Sequence, residues 1–133
     1  MKEEIFKLIK LQAIDSEIAG FDNAIAKHRA IIADRELAIA EKQESIAAFR
    51  TKIELLNQKQ RETKSEHDDA GVRVKDRQNK MMQVQTSREH QALLKEIEES
   101  KKIVKESDER MLQFLEQIEQ LEQEVANLEN LCA

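Results

Sequence analysis

Few side chains in this 133-residue sequence have the type and spacing to do chemistry. There are three histidines, His28, His67 and His90, and one cysteine, Cys132. Histidine titrates near neutral pH and is the commonest metal ligand, so three of them on one seam would suit a metal site or a pH switch. Their positions argue otherwise. Folded back on itself as argued below, the chain sets His67 opposite about Val104 and His90 opposite about Met81. The three do not meet, and they read as packing or register residues. A single cysteine permits neither an internal disulfide nor a multi-cysteine zinc site, and Cys132 reads as a small apolar residue. There is no glycine-rich phosphate loop, no Gly-x-Ser-x-Gly elbow and no His-Glu-x-x-His pair. No catalytic activity and no cofactor within this chain are expected.

Charge offers a second kind of chemistry. Residues 72–95 hold Arg73, Lys75, Arg77, Lys80, Arg88 and Lys95 against Asp76 and Glu89, a net +4 on a chain whose total is −5. Residues 1–71 carry −2 and residues 96–133 carry −7. A basic tip of Arg73, Lys75, Arg77 and Lys80 on an acidic stalk could meet phosphate or an acidic protein. It lacks the aromatic platforms on which single-stranded nucleic acids stack, and a solvated helix face is the simpler reading.

The elements that must position these residues follow from composition and period. The chain is 37% charged and 3% aromatic, with two glycines and no proline. That is too little bulky core for an ordinary globular domain, and its Ala, Glu, Lys, Leu, Gln and Ile suit long helices. From Leu11 a 3-4 spacing runs without a slip. One row is Leu11, Ile18, Ile25, Ile32, Ile39, Ile46, Ile53, Gln60, His67, Val74 and Met81. The other is Ile14, Phe21, His28, Arg35, Lys42, Phe49, Leu56, Thr63, Ala70, Arg77 and Val84. This is a coiled-coil seam with left-handed supercoiling. Its polar members Arg35, Lys42, Gln60, Thr63 and Arg77 read as register control, with long stems reaching to water.

A second stripe has one row of His90, Ile97, Val104, Met111, Ile118, Val125 and Cys132 and another of Leu93, Ser100, Ser107, Phe114, Leu121 and Leu128, displaced by two residues from the first. That displacement is neither a stutter nor a stammer, so the chain must break there. Thr86-Ser87-Arg88-Glu89 has the form of a capping box that opens a helix. The sequence therefore predicts an all-α, long antiparallel coiled-coil hairpin forming a single domain over 1–133. Helix 1 spans about 3–82, the turn 83–86 and helix 2 about 87–130. Gly71 after Asp68-Asp69-Ala70 is the rival turn, although acidic residues are unfavourable at a helix C-terminus. Gly20 weakens helix 1 and is a candidate kink.

In such a hairpin residue 131 falls opposite about residue 40, so residues 1–39 have no partner in the chain. Yet that stretch carries Leu11, Ile14, Ile18, Phe21, Ile25, Ile32 and Ile39. An uncovered stripe marks an interface, and a homodimer through residues 1–39 is expected. No apolar run approaches the ~20 residues that span a bilayer, so no membrane partner is expected. Met1-Lys2-Glu3-Glu4 leads into an amphipathic segment, not an apolar signal, and a cytoplasmic location is expected.

Two stretches carry a resemblance. LIKLQAIDSEI near the start, and MMQVQTSREHQALLKEIEESKKI in the middle, resemble bacterial coiled-coil proteins that end in a C4-type zinc ribbon. The family's middle segment has the form Val-x-Thr-x-Lys-Glu-Tyr-x-Ala-Leu-x-x-Glu-Ile-Glu. Here it is Val84, Thr86, Arg88, Glu89, His90, Ala92, Leu93, Glu96, Ile97 and Glu98, with Arg88 replacing Lys and His90 replacing Tyr. The resemblance implies a long antiparallel hairpin with this motif at its turn. In typical members helix 2 is much longer and leads to a ribbon with two Cys-x-x-Cys pairs. This sequence holds neither, and zinc is expected only where such a ribbon follows. Flagellar relatives are described as regulators that contact flagellin messenger RNA and an alternative sigma factor. The resulting expectation is an interaction module that binds unidentified protein partners through its N-terminal seam and hairpin tip. An RNA-binding adaptor acting through the basic tip, and a holdase-like chaperone acting through the open seam, are the alternatives.

Overall fold

The computed structural model describes residues 1–132. They form two α-helices, α1 (Lys2–Met81) and α2 (Ser87–Cys132), with no strand among the described residues. Each boundary lies within two residues of the sequence expectation, and the connection falls where the two stripes change phase.

Local chemistry explains both ends of the connection. The last turn of α1 tightens through bonds from the amides of Met82 and Gln83 to the carbonyls of Asn79 and Lys80, three residues back. Thr86 caps α2: its Oγ1 accepts from the amide of Glu89 at 3.2 Å, and its carbonyl accepts from the amide of His90 at 3.1 Å. Only half of the expected capping box forms. No bond joins the Glu89 carboxylate to the amide of Thr86 among the described residues. Gly71 is no turn. Helix runs through it, and neither glycine has a positive φ. Helix also runs unbroken through Gly20.

The chain divides into two units, residues 1–44 and Ser45 onward. The first is the N-terminal part of α1 alone, and every one of its residues is exposed except the half-buried Lys42. The second holds the rest of α1 and all of α2 as an antiparallel hairpin. Across it, Arg77 Nε donates to Glu96 Oε2 at 2.6 Å, His67 Nε2 lies 2.9 Å from Asp108 Oδ1, Arg110 Nη2 donates to Glu66 Oε2 at 3.1 Å, and Arg50 pairs with Glu129. These pairs set the register. By them Cys132 is level with about residue 47, so the unpartnered stretch reaches residue 44 and not 39.

The core of this unit is thin and follows the two stripes. Ile46, Thr63, Ala70, Ile97, Ser100, Ser107, Ile118 and Val125 are buried, and each is a stripe position. From Lys42 to Cys132 every stripe member is at least half-buried except His90, which is exposed. The register explains this exception. Extended from Arg77 and Glu96, it sets Met81 level with about Ala92. The first turn of α2 thus lies beyond the end of α1, beside the connection, and nothing covers His90. The buried second stripe begins at Leu93.

Candidate functional site

A long line of exposed apolar side chains lies on the first unit. Leu11, Ile14, Ile18, Phe21, Ile25, Ile32 and Ile39 are all exposed, from 38% at Ile39 to 67% at Phe21. Helix geometry puts them there. Positions three and four apart share a face, so a 3-4 repeat draws one continuous apolar line along α1. In the second unit the same line is the buried face of the hairpin. The stripe has its first buried member at Ile46. Its cations Arg35 and Lys42 lie on the same face, spaced one heptad apart.

The hairpin tip is less free than its charge count suggests. Arg77 is half-buried and pairs with both Asp76 and Glu96, and Lys80 Nζ lies 3.5 Å from Asp76 Oδ2. Two of the four basic-tip residues thus spend charge within the hairpin. Arg73 and Lys75 are exposed, and Arg73 lines a shallow groove with Glu66, Asp69, Ile103, Glu106 and Arg110, where acids and bases alternate. Of the turn motif, Thr86, Arg88, Glu89, His90 and Glu96 are exposed, while Val84 and Leu93 are half-buried. Val84 and Leu93 line a second shallow groove with Lys80, Gln83, Glu89 and Ala92. Four motif residues have a visible structural role. Thr86 caps α2, Glu96 holds Arg77, and Val84 and Leu93 close the last apolar layer.

The histidines are apart, as their numbering implied, but the neighbour expected for His67 was wrong by one helical turn. Its ring sits between Asp68, 3.2 Å from Nδ1, and Asp108, 2.9 Å from Nε2. Val104 and Asp108 are successive residues on one helix face, so a small shift in register exchanges them. No group of three His, Cys, Asp or Glu residues is placed to hold a metal ion among the described residues. Cys132 is half-buried and unpaired. No described helix is long and apolar enough to cross a membrane.

Two apolar features lie wholly or partly outside the heptad rows. Ile5, Phe6, Leu8 and Ile9 are exposed and lie off the stripe. On the hairpin, Leu55 lies off the stripe and lines a groove of about 310 Å³ with the stripe residues Leu56 and Leu121 and with Lys52 and Glu124. The signal for the second is the doublet Leu55-Leu56, which puts a second apolar residue next to a seam position.

Compared with protein-family models, curated protein sequences and solved structures, the chain matches none.

Proposed function

We propose that this chain is a non-catalytic coiled-coil interaction module that binds protein through the exposed stripe of residues 11–39 and, secondarily, through its hairpin tip. The observation that carries this reading is the stripe itself. Seven Leu, Ile and Phe side chains on one line, all in water, exceed what a helix scatters by chance, and such surface marks an interface. The family resemblance of the turn motif adds a setting: a cytoplasmic bacterial regulator or adaptor of the zinc-ribbon type, concerned with flagellar or other gene expression.

The test is site-specific photo-cross-linking in bacterial cells. A cross-linker at Ile18 should capture protein, while one at Lys101, exposed on α2, should not. Ile25→Glu should suppress the capture at residue 18. Equal capture at both sites, or none at Ile18, overturns the reading.

Binding of RNA through the tip is the second reading, favoured by the net +4 of residues 72–95. It requires an affinity that falls steeply with salt and is lost when Arg73 and Lys75, the two tip cations exposed and without an ion pair among the described residues, are both changed to Gln. Retained binding in that variant removes the tip from consideration.

A further inference from the structure

The unpartnered stripe has a charge order that selects its occupant. Continued toward the start of α1, the 3-4 spacing passes through Lys7 and Glu4. One row of the exposed stripe then reads Glu4, Leu11, Ile18, Ile25, Ile32 and Ile39, and the other Lys7, Ile14, Phe21, His28, Arg35 and Lys42. The rows differ in kind. The first is aliphatic behind one acid; the second holds a cation or histidine at four of its six places. Two copies laid parallel in register meet residue on like residue. That stacks Lys7, Arg35 and Lys42 each on its own copy, and like charges pressed into a seam repel. Antiparallel copies meet first row on second.

We propose that a second copy of this chain covers the stripe, antiparallel, in the register that sets Ile25 against the partner's Phe21. The proposal rests on the interface reading above and adds its occupant and direction. In this register Ile32 meets the partner's Ile14, Ile18 the partner's His28, Leu11 the partner's Arg35, Ile39 the partner's Lys7 and Glu4 the partner's Lys42. Two-fold symmetry repeats each layer. The two central layers, Ile25 against the partner's Phe21, are wholly apolar, and the next layer outward sets Ile18 against the partner's His28 before the apolar layer of Ile32 and the partner's Ile14. Toward the ends each cation lies against an aliphatic side chain, along which its stem can pack while its head stays in water, or against Glu4. On the flank Asp15 comes beside the partner's Arg29, an opposite-charge pair. Asp22 approaches the partner's Asp22, a like pair on the exposed edge where salt screens it. The register uses the whole stripe from Glu4 to Lys42 and stops short of Ile46, which the hairpin already buries.

The test uses the full chain with Cys132→Ser, carrying either Leu11→Cys or Arg35→Cys, under mild oxidation. Both positions are exposed, so neither change touches the hairpin core. Each variant alone should form little disulfide, because like positions lie about 36 Å apart along the seam, far beyond disulfide reach. An equimolar mixture should give the mixed dimer. Unsubstituted protein should sediment at twice 15.4 kDa, and Ile18→Glu with Ile25→Glu should return it to the single-chain mass. Self-cross-linking of both variants means a parallel pair: it overturns this proposal and leaves the stripe an interface. Pairing of Leu11→Cys with His28→Cys or Lys42→Cys in place of Arg35→Cys overturns the register. Sedimentation at the single-chain mass at high concentration overturns the second copy as occupant, and a photo-adduct of another mass at Ile18 would then keep the interface reading alone.

Discussion

Ala70 and Ser107 are both wholly buried, and with Thr63 and Ser100 they give the middle of the hairpin a core of small side chains. Small residues let two helices approach closely, and the cost of enlarging one is strain. Ala70→Leu should destabilise the hairpin by about 1–3 kcal/mol, read as a lower urea midpoint. Its neighbour behaves oppositely. Gly71 sits within α1, its φ is not positive, and a Cβ there would meet no atom within 4 Å. Gly71→Ala should raise stability by about 1 kcal/mol, since alanine removes the entropic penalty of glycine in a helix. A loss of stability there would mean that the chain needs Gly71 for a turn. Gln60 differs: its Oε1 is buried with no hydrogen-bond partner among the described residues, which costs stability, as a polar residue kept in a seam for register does.

At the scale of the element, α1 is one helix with two environments. Its residues 2–44 contribute no buried side chain, while the hairpin from Ser45 has its own core. A chain of residues 45–133 should therefore fold alone. It should melt within a few degrees of the hairpin transition in the full chain, with helical signal lost in proportion to the missing residues. A large drop in melting temperature would show that residues 1–44 support the hairpin core. The cap at Thr86 and the tightened last turn of α1 act at this scale too, since together they end one helix and start the next within five residues.

At the scale of the whole molecule, stability should depend on concentration. If the stripe is covered by a second chain, dimer formation stabilises residues 1–44 by mass action, while the hairpin's own core does not change with dilution. Thermal unfolding followed by circular dichroism at two well-separated concentrations should show one transition that moves and one that does not. Two transitions that both stay fixed would mean no association at these concentrations. The acidic stalk and basic tip also belong to this scale. Their opposite signs favour contacts between the tip of one molecule and the stalk of another, and salt would weaken these first.

Much of this architecture was legible in the sequence because a heptad is a one-dimensional signal. Ile46, Ile97, Ile118 and Val125 could be named as core from spacing alone, and the two-residue phase shift with Thr86 located the turn. The open stripe from Leu11 to Ile39 was legible for the same reason, because a second helix expected over about 87–130 folds back only as far as about residue 40. Only the tertiary structure decided the rest. Which carboxylate meets His67, whether Arg77 is free, and where the last buried layer lies depend on the axial stagger of two helices. A shift of one turn leaves every seam residue on the seam while exchanging its neighbours. Period determines which face is buried; the register between helices, set by pairs such as Arg77 with Glu96, determines which side chains touch.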